Sequence, residues 1–304
     1  MDMNKNASYA PELTNLLRKI TESIEKNIIK EGHPIILVDK YDWYREVLSL
    51  MAKQVNLCDS CVLLLESGME QEAYILARSQ FNNTLWIKYL CEAEDSDEVR
   101  LKEFYYQPYV NQLKLNQNLK NIIKKYGDIL DEKFRKPDVI TKLNKEIRNI
   151  QKKLKNEGIK SAQKSVAELA KQDSTVFSIY ITLYNEASKF EHSDISTVKL
   201  YRKQAIEGYS TEEAFVFDLG QSNKEGWFTV LKYSLMSIFL AFQSISNRIQ
   251  NREDQLFEDT PYGKGVYSVK NFNEITLQFI KCIKLLELEK RKNGLDKDGD
   301  DKWG

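Results

Sequence analysis

Histidine is nearly absent: His33 and His192 are the only two in 304 residues, so any imidazole chemistry runs through one of them. Glycine (12) and proline (5) are also scarce, and with 42% apolar and 30% charged residues the composition is that of a helix-rich soluble protein. Four cysteines, Cys58, Cys61, Cys91 and Cys282, are too few and too scattered for a disulfide framework and fit a reducing cytoplasm. The charge of one sign is missing too. Lys and Arg (45) balance Asp and Glu (45), which excludes a surface built throughout for nucleic acid or anionic lipid and leaves local patches open.

Long apolar runs are lacking. The strongest, Trp227 to Phe242, is shorter than a bilayer span and carries Lys232, so a buried core helix and no membrane partner are expected. The first residues lack the basic start and apolar core of a signal peptide. No GxxxxGK[ST], GxGxxG, HExxH or GxSxG occurs, so common nucleotide, zinc-protease and hydrolase chemistries have no motif, and neither cofactor nor metal is expected.

What is present is helical periodicity. Leu13, Leu16, Leu17, Ile20, Ile24 and Ile28 mark a first amphipathic helix after Pro11. A second follows Asp42, stops at Gly68, and is joined to a third, Met69 to about Glu94, by a turn so short that the two form an antiparallel hairpin. The third is apolar almost all round and belongs at the centre, with Arg78 inside it. A Tyr-rich fourth helix runs from about Asp97 to Tyr126, bent near Tyr106 by Pro108.

From 133 to 164 there are 11 Lys or Arg (133, 135, 136, 142, 145, 148, 152, 153, 155, 160, 164) against 3 acids (138, 146, 157). Ile140, Leu143, Ile147, Ile150 and Leu154 keep one apolar edge, which predicts a protruding basic arm. Asp173-Ser174 caps the helix carrying Tyr184 and Ser188. The region near 198–218 reads as a small β-hairpin or flap, and two helices complete an all-α multi-helix bundle over 1–293, with 294–304 as a disordered acidic tail.

Tyr184, Ser188 and His192 are spaced by four, on one helical face. At the helix end beside Glu191, His192 is placed to hold a proton and trade it near neutral pH. Arg78 is the charge expected to meet this stripe and to grip a phosphate, with Tyr184 and Ser188 as hydrogen-bond donors. Asn82, Lys145, Arg148 and Lys152 are the expected substrate contacts. The competing reading is structural: Arg78 neutralises a buried carboxylate such as Glu70 or Glu186, and His192 caps a helix end. Cys58-Asp59-Ser60-Cys61 is a CxxC placed mid-helix on the apolar face and lacks a second pair, so both cysteines belong to the core. The basic arm has the charge to track RNA, but Phe134 is the only aromatic within it.

The segment Leu63 to Leu90, LLLESGMEQEAYILARSQFNNTLWIKYL, resembles the helical hairpin of the bacterial domain of unknown function 5677, and the resemblance covers roughly residues 45 to 205. It implies an all-helical fold in which Arg78-Ser79 is set against Tyr184, Ser188 and His192. Members often carry glutamate four residues after that arginine, where this chain has Asn82. A more distant resemblance is to the HEPN ribonucleases of toxin and phage-defence systems, whose dimers unite Arg and His motifs. Their arginine precedes the histidine by four to six residues; the helix ending at His192 has Lys189 and no arginine, so Arg78 would serve from another helix. These features lead to two expectations: a metal-independent RNA-cleaving or RNA-binding effector, or a non-catalytic helical module that binds a protein partner or a second copy of itself.

Overall fold

Gly68 makes the central hairpin possible. Its φ of 69° lies in the left-handed region that side chains avoid. The amides after the second helix then turn back, Met69 N–H to the Leu64 carbonyl at 2.9 Å and Gly68 N–H to Leu65 at 3.1 Å, which closes the helix with a Schellman motif. The computed structural model describes residues 9–29, 43–92, 97–159, 164–191, 201–210, 212–217, 223–250 and 269–295. Along them run α1 (Pro11–Ile24, continued by a π-helical turn Glu25–Ile29), α2 (Trp43–Glu66), α3 (Glu70–Cys91), α4 (Asp97–Tyr126), α5 (Glu132–Arg135), α6 (Pro137–Asn156), α7 (Val166–Ala170), α8 (Ser174–Glu191), the strands β1 (Arg202–Gln204) and β2 (Phe215–Phe217), α9 (Lys224–Gln250) and α10 (Val269–Lys292). This is an all-α multi-helix bundle. The strands pair antiparallel, Arg202 opposite Phe217 and Gln204 opposite Phe215.

Helix α3 lies between α2 and α9, with α8 against its remaining side and α1 packed on α10. Phe81, Trp227, Phe228, Phe242 and Phe279 are among the largest fully buried side chains of the main core. Each contributes roughly 1.5–3 kcal/mol of burial. The apolar run Trp227 to Phe242 lies within the longer helix α9. By length and composition alone, Arg45–Glu66 and Lys224–Ile249 are apolar enough to cross a membrane; Val47, Met51, Leu231, Leu235 and Ile238 on them are buried in the core.

The interior is less apolar than α3 suggests as a sequence. Gln54 Nε2 donates to Thr84 Oγ1 and Asn83 Nδ2 to Gln54 Oε1, each at 2.8 Å. Thr84 donates to the Ser237 carbonyl at 2.8 Å, while Gln80 and Ser234 bond reciprocally, Ser234 Oγ to Gln80 Oε1 at 2.7 Å and Gln80 Nε2 to the Ser234 carbonyl at 3.2 Å. All five residues besides Asn83 are fully buried, and Asn83 is 4% exposed. Trp227 Nε1 donates to the Leu65 carbonyl at 3.0 Å, tying the start of α9 to the hairpin turn.

Cys58 and Cys61 face this core as free thiols, like Cys91 and Cys282. Burial pushes the Cys61 thiol up to about 12 and raises Cys58 further, so neither is a ready nucleophile.

Helix α6, the basic arm, packs its apolar edge on α4, where Ile147 and Leu154 join Tyr106, Val110 and Leu113 in a small cluster of their own. Helix α4 runs unbroken through Pro108. At the other end Gly294 and Leu295 close α10: Gly294 has φ 72°, Leu295 N–H bonds the Lys290 carbonyl at 3.1 Å, and Leu295 packs on the core. Residues 296–304, expected as part of an acidic tail, lie outside the described residues, as do Asp42 and His33.

Replacing Gln80 by Ala removes both bonds to Ser234 and leaves its hydroxyl only the weak contact to the Cys58 sulfur at 3.6 Å. The expected loss is about 2–3 kcal/mol in urea unfolding. Lys145→Ala on the exposed face of α6 is expected to stay within about 0.5 kcal/mol; a Gln80→Ala loss that small would show the network to be dispensable.

Candidate functional site

Tyr74, Arg78, Asn82 and Trp86 follow one another at four-residue spacing and form one stripe along α3. Helix α8 runs antiparallel to it. Tyr74 stacks on Phe190 with ring centroids 4.9 Å apart, and Lys88 near the other end of α3 meets Asp173 at 3.1 Å. Asp173 caps α8, accepting the N–H of Thr175 at 2.8 Å and of Val176 at 3.1 Å.

Between these two ends, Arg78 and Tyr184 meet. The guanidinium carbon lies 4.0 Å above the Tyr184 ring centroid, and Nη2 donates to the Tyr184 hydroxyl at 2.6 Å. The fold thus brings Arg78 to Tyr184, the first residue of the stripe, across 106 positions of chain. A stacked, bonded arginine of this kind gains about 1–2 kcal/mol and holds its planar fork at one angle. Because the phenolic oxygen accepts from Arg78, its own proton is left for another acceptor. Glu186, a carboxylate considered as a partner for Arg78, pairs with Lys189 at 2.9 Å; Glu70 accepts the backbone N–H of Asn223.

The Ser188 hydroxyl donates to the Tyr184 carbonyl one turn earlier at 2.6 Å, the back-bond of a helical serine. His192 lies outside the described residues, immediately after the end of α8.

On the C-terminal side of Arg78 the stripe enters a cavity of about 580 Å3 between α3, α4 and α7, lined by Asn82, Trp86, Phe104, Tyr105, Asn111 and Lys164 among others. Trp86 meets Phe104 edge-on at 5.3 Å. The Tyr105 hydroxyl, held between Arg45 and Glu46 of α2, fixes the next aromatic wall. On the N-terminal side lies a smaller cavity of about 300 Å3, bordered by Glu70, Glu186 and Glu225. Burial raises the Tyr74 hydroxyl above its ordinary range there, and Glu186 and Glu225 push in the same direction. An anion bound at Arg78 is therefore repelled on one side and faces neutral and basic groups on the other.

Of the expected substrate contacts, Asn82 falls in the larger cavity. Lys145, Arg148 and Lys152 do not line it; they lie on the exposed face of α6. The arm does acquire aromatic company, from another helix: Lys153 Nζ sits 3.7 Å above the Tyr109 ring of α4 and 5.9 Å from Tyr106. Trp86, Phe104 and Tyr105 were not singled out in sequence. The spacing Arg78, Asn82, Trp86 was the available signal. Among the described residues, no group of three or more His, Cys, Asp and Glu is placed to hold a metal ion.

A family model described as "Family of unknown function (DUF5677)" matches residues 44–207, from α2 to just beyond β1, and takes in the whole stripe and Tyr184. No curated protein and no solved structure matches the chain.

The Asp173 cap sets the register of α8 against α3. Burial works to raise its carboxyl, but the Val176 N–H, the Lys88 ammonium and the Thr175 N–H outweigh it and hold the group below the usual carboxylate range. Its stabilisation is therefore complete above the unfolded value, about 3.9, and is lost as pH falls through the lower folded value. Asp173→Ala is expected to cost about 1–2 kcal/mol at pH 7, measured by urea unfolding, with the deficit shrinking below about pH 4. A deficit that persisted unchanged at low pH would mean the carboxylate charge is not what holds α8.

Proposed function

The chain belongs to this family of unknown function, and from that premise we propose that it is a HEPN-like RNA-binding and RNA-cleaving effector of the cytoplasm, of the kind used by toxin and phage-defence systems. The observation that carries this reading is the Arg78 guanidinium set on the Tyr184 ring and bonded to its hydroxyl. It offers a fixed positive charge and a phenolic proton to one phosphate, beside an aromatic cavity. In the proposed reaction the ribose 2′-oxygen attacks phosphorus and the bond to the 5′-oxygen breaks. His192 takes the 2′-hydroxyl proton, the leaving 5′-oxygen gains one from water, and Arg78 offsets the charge of the phosphorane. The products are a 2′,3′-cyclic phosphate and a 5′-hydroxyl, and no step calls on a metal.

Purified protein is expected to cleave single-stranded RNA equally with and without chelator. His192→Ala should lower the rate at least 100-fold, and Arg78→Lys, which keeps the charge but loses the planar fork, about tenfold or more. Undiminished cleavage by His192→Ala would remove that residue from the mechanism; no cleavage of any RNA by the wild type would remove the enzyme.

A second reading has its own observation. The strand pair and the turn after β1 expose Ile206 (54%), Val216 (52%) and Phe217 (79%), apolar side chains at a two-stranded edge. As a surface for a second copy of the chain, it predicts a dimer in sedimentation that Phe217→Ser dissociates. A wild-type monomer at high protein concentration overturns that reading.

A further inference from the structure

The cavity between α3, α4 and α7 has a chemical character that phosphate contact does not use. Its walls carry the faces and edges of Trp86, Phe104 and Tyr105, and its size falls in the range of roughly 300–1,000 Å3 occupied by small-ligand sites. Flat aromatic walls favour a flat ring, and a nucleobase stacked on such a side chain gains about 1–3 kcal/mol.

The polar groups select which base. Asn82 lines the cavity, and its Oδ1 is buried with no hydrogen-bond partner. An orphaned amide oxygen in such a place costs free energy that an incoming donor relieves after a small rotation of the amide. Pro108, also on the wall, has no N–H to give to the carbonyl of Phe104, one helical turn earlier, so a second acceptor on this wall lacks its usual helical donor. An orphaned amide oxygen and a carbonyl without its helical N–H donor, in an aromatic enclosure, call for a ring that brings donors and no carbonyl oxygens of its own. Guanine, cytosine and uracil all carry carbonyls. Adenine does not, and its amine and neighbouring ring nitrogen match the two ends of an asparagine amide.

We propose that this cavity is a binding site for an adenine base, stacked against Trp86 and Tyr105 and read by the amide of Asn82. The inference rests on the RNA reading above only for the source of the base. Asn82 is one helical turn from Arg78 and Lys164 borders the cavity, so an adenine seated there would belong to the nucleotide next to the phosphate held at Arg78. Free adenine nucleotides present the same ring.

The test is calorimetric titration of the full chain with AMP, GMP, CMP and UMP, alongside fluorescence-anisotropy titration with labelled oligoadenylate and oligouridylate RNA. AMP is expected to bind at least about tenfold tighter than UMP, and oligoadenylate tighter than oligouridylate. Asn82→Leu, similar in shape, should abolish the preference while its melting temperature stays near the wild type; Trp86→Ala should weaken every base. Equal binding of all bases, or an adenine preference that survives Asn82→Leu, overturns the site and leaves RNA binding standing. AMP binding without any RNA binding supports the site and overturns the RNA reading. Oligoadenylate preference without measurable AMP binding supports both, and absence of all binding overturns both.

Discussion

Hydrogen bonds from Gln80, Asn83 and Thr84 to α2 and α9 set how α3 is turned about its own axis. Successive residues of a helix are separated by about 100°, so these three positions and the stripe of Arg78, Asn82 and Trp86 fall on roughly opposite sides. A helix enclosed by two others could bury its apolar surface at many rotations, because hydrophobic contact has little directionality. Amides and hydroxyls accept few. Each misdirected partner would be left bare in the interior, at about 1–3 kcal/mol apiece, and the sum singles out one rotation.

With α3 so turned, its free side is completed by α8 and α4, which contribute opposite characters. Antiparallel α8 arrives capped by Asp173, linked to Lys88, and brings Tyr184 over Arg78. The turn before Arg78 opens on carboxylates and the turn after it on aromatic rings, amides and Lys164. The two sides of Arg78 thus differ in charge, acidic toward the start of α3 and neutral to basic toward α4. The small cluster joining α4 to α6 shares only Tyr105 with the packing of the main core, so the arm is held on by few buried side chains of its own.

Much of this is legible in the sequence. The hairpin follows from Gly68, the core position of Cys58 and Cys61 from their place in an apolar helical face, and the basic arm from its charge and single apolar edge. Asn82 stands out as a departure from the family pattern, and Arg78 as a charge inside the apolar run of α3, expected to meet a polar stripe elsewhere. The back-bond of the Ser188 hydroxyl to the Tyr184 carbonyl is not legible in sequence, since a hydroxyl on a helix can turn outward or bond back to its own backbone. Nor is the company of Lys153, whose aromatic partners lie more than forty positions away on α4.

The sequence by itself determined the elements and their inward faces, because helical periodicity, glycine conformation and capping are local and act within a few residues. Only the tertiary structure decided which polar groups meet. The Gln80 and Ser234 pair, the Arg78 and Tyr184 stack, and the cavity of Trp86, Phe104 and Lys164 each unite residues from separate helices. Their geometry depends on how α3 is rotated and how α8 and α4 are aligned to it, and the directional bonds that settle those choices form only when the chain closes on itself.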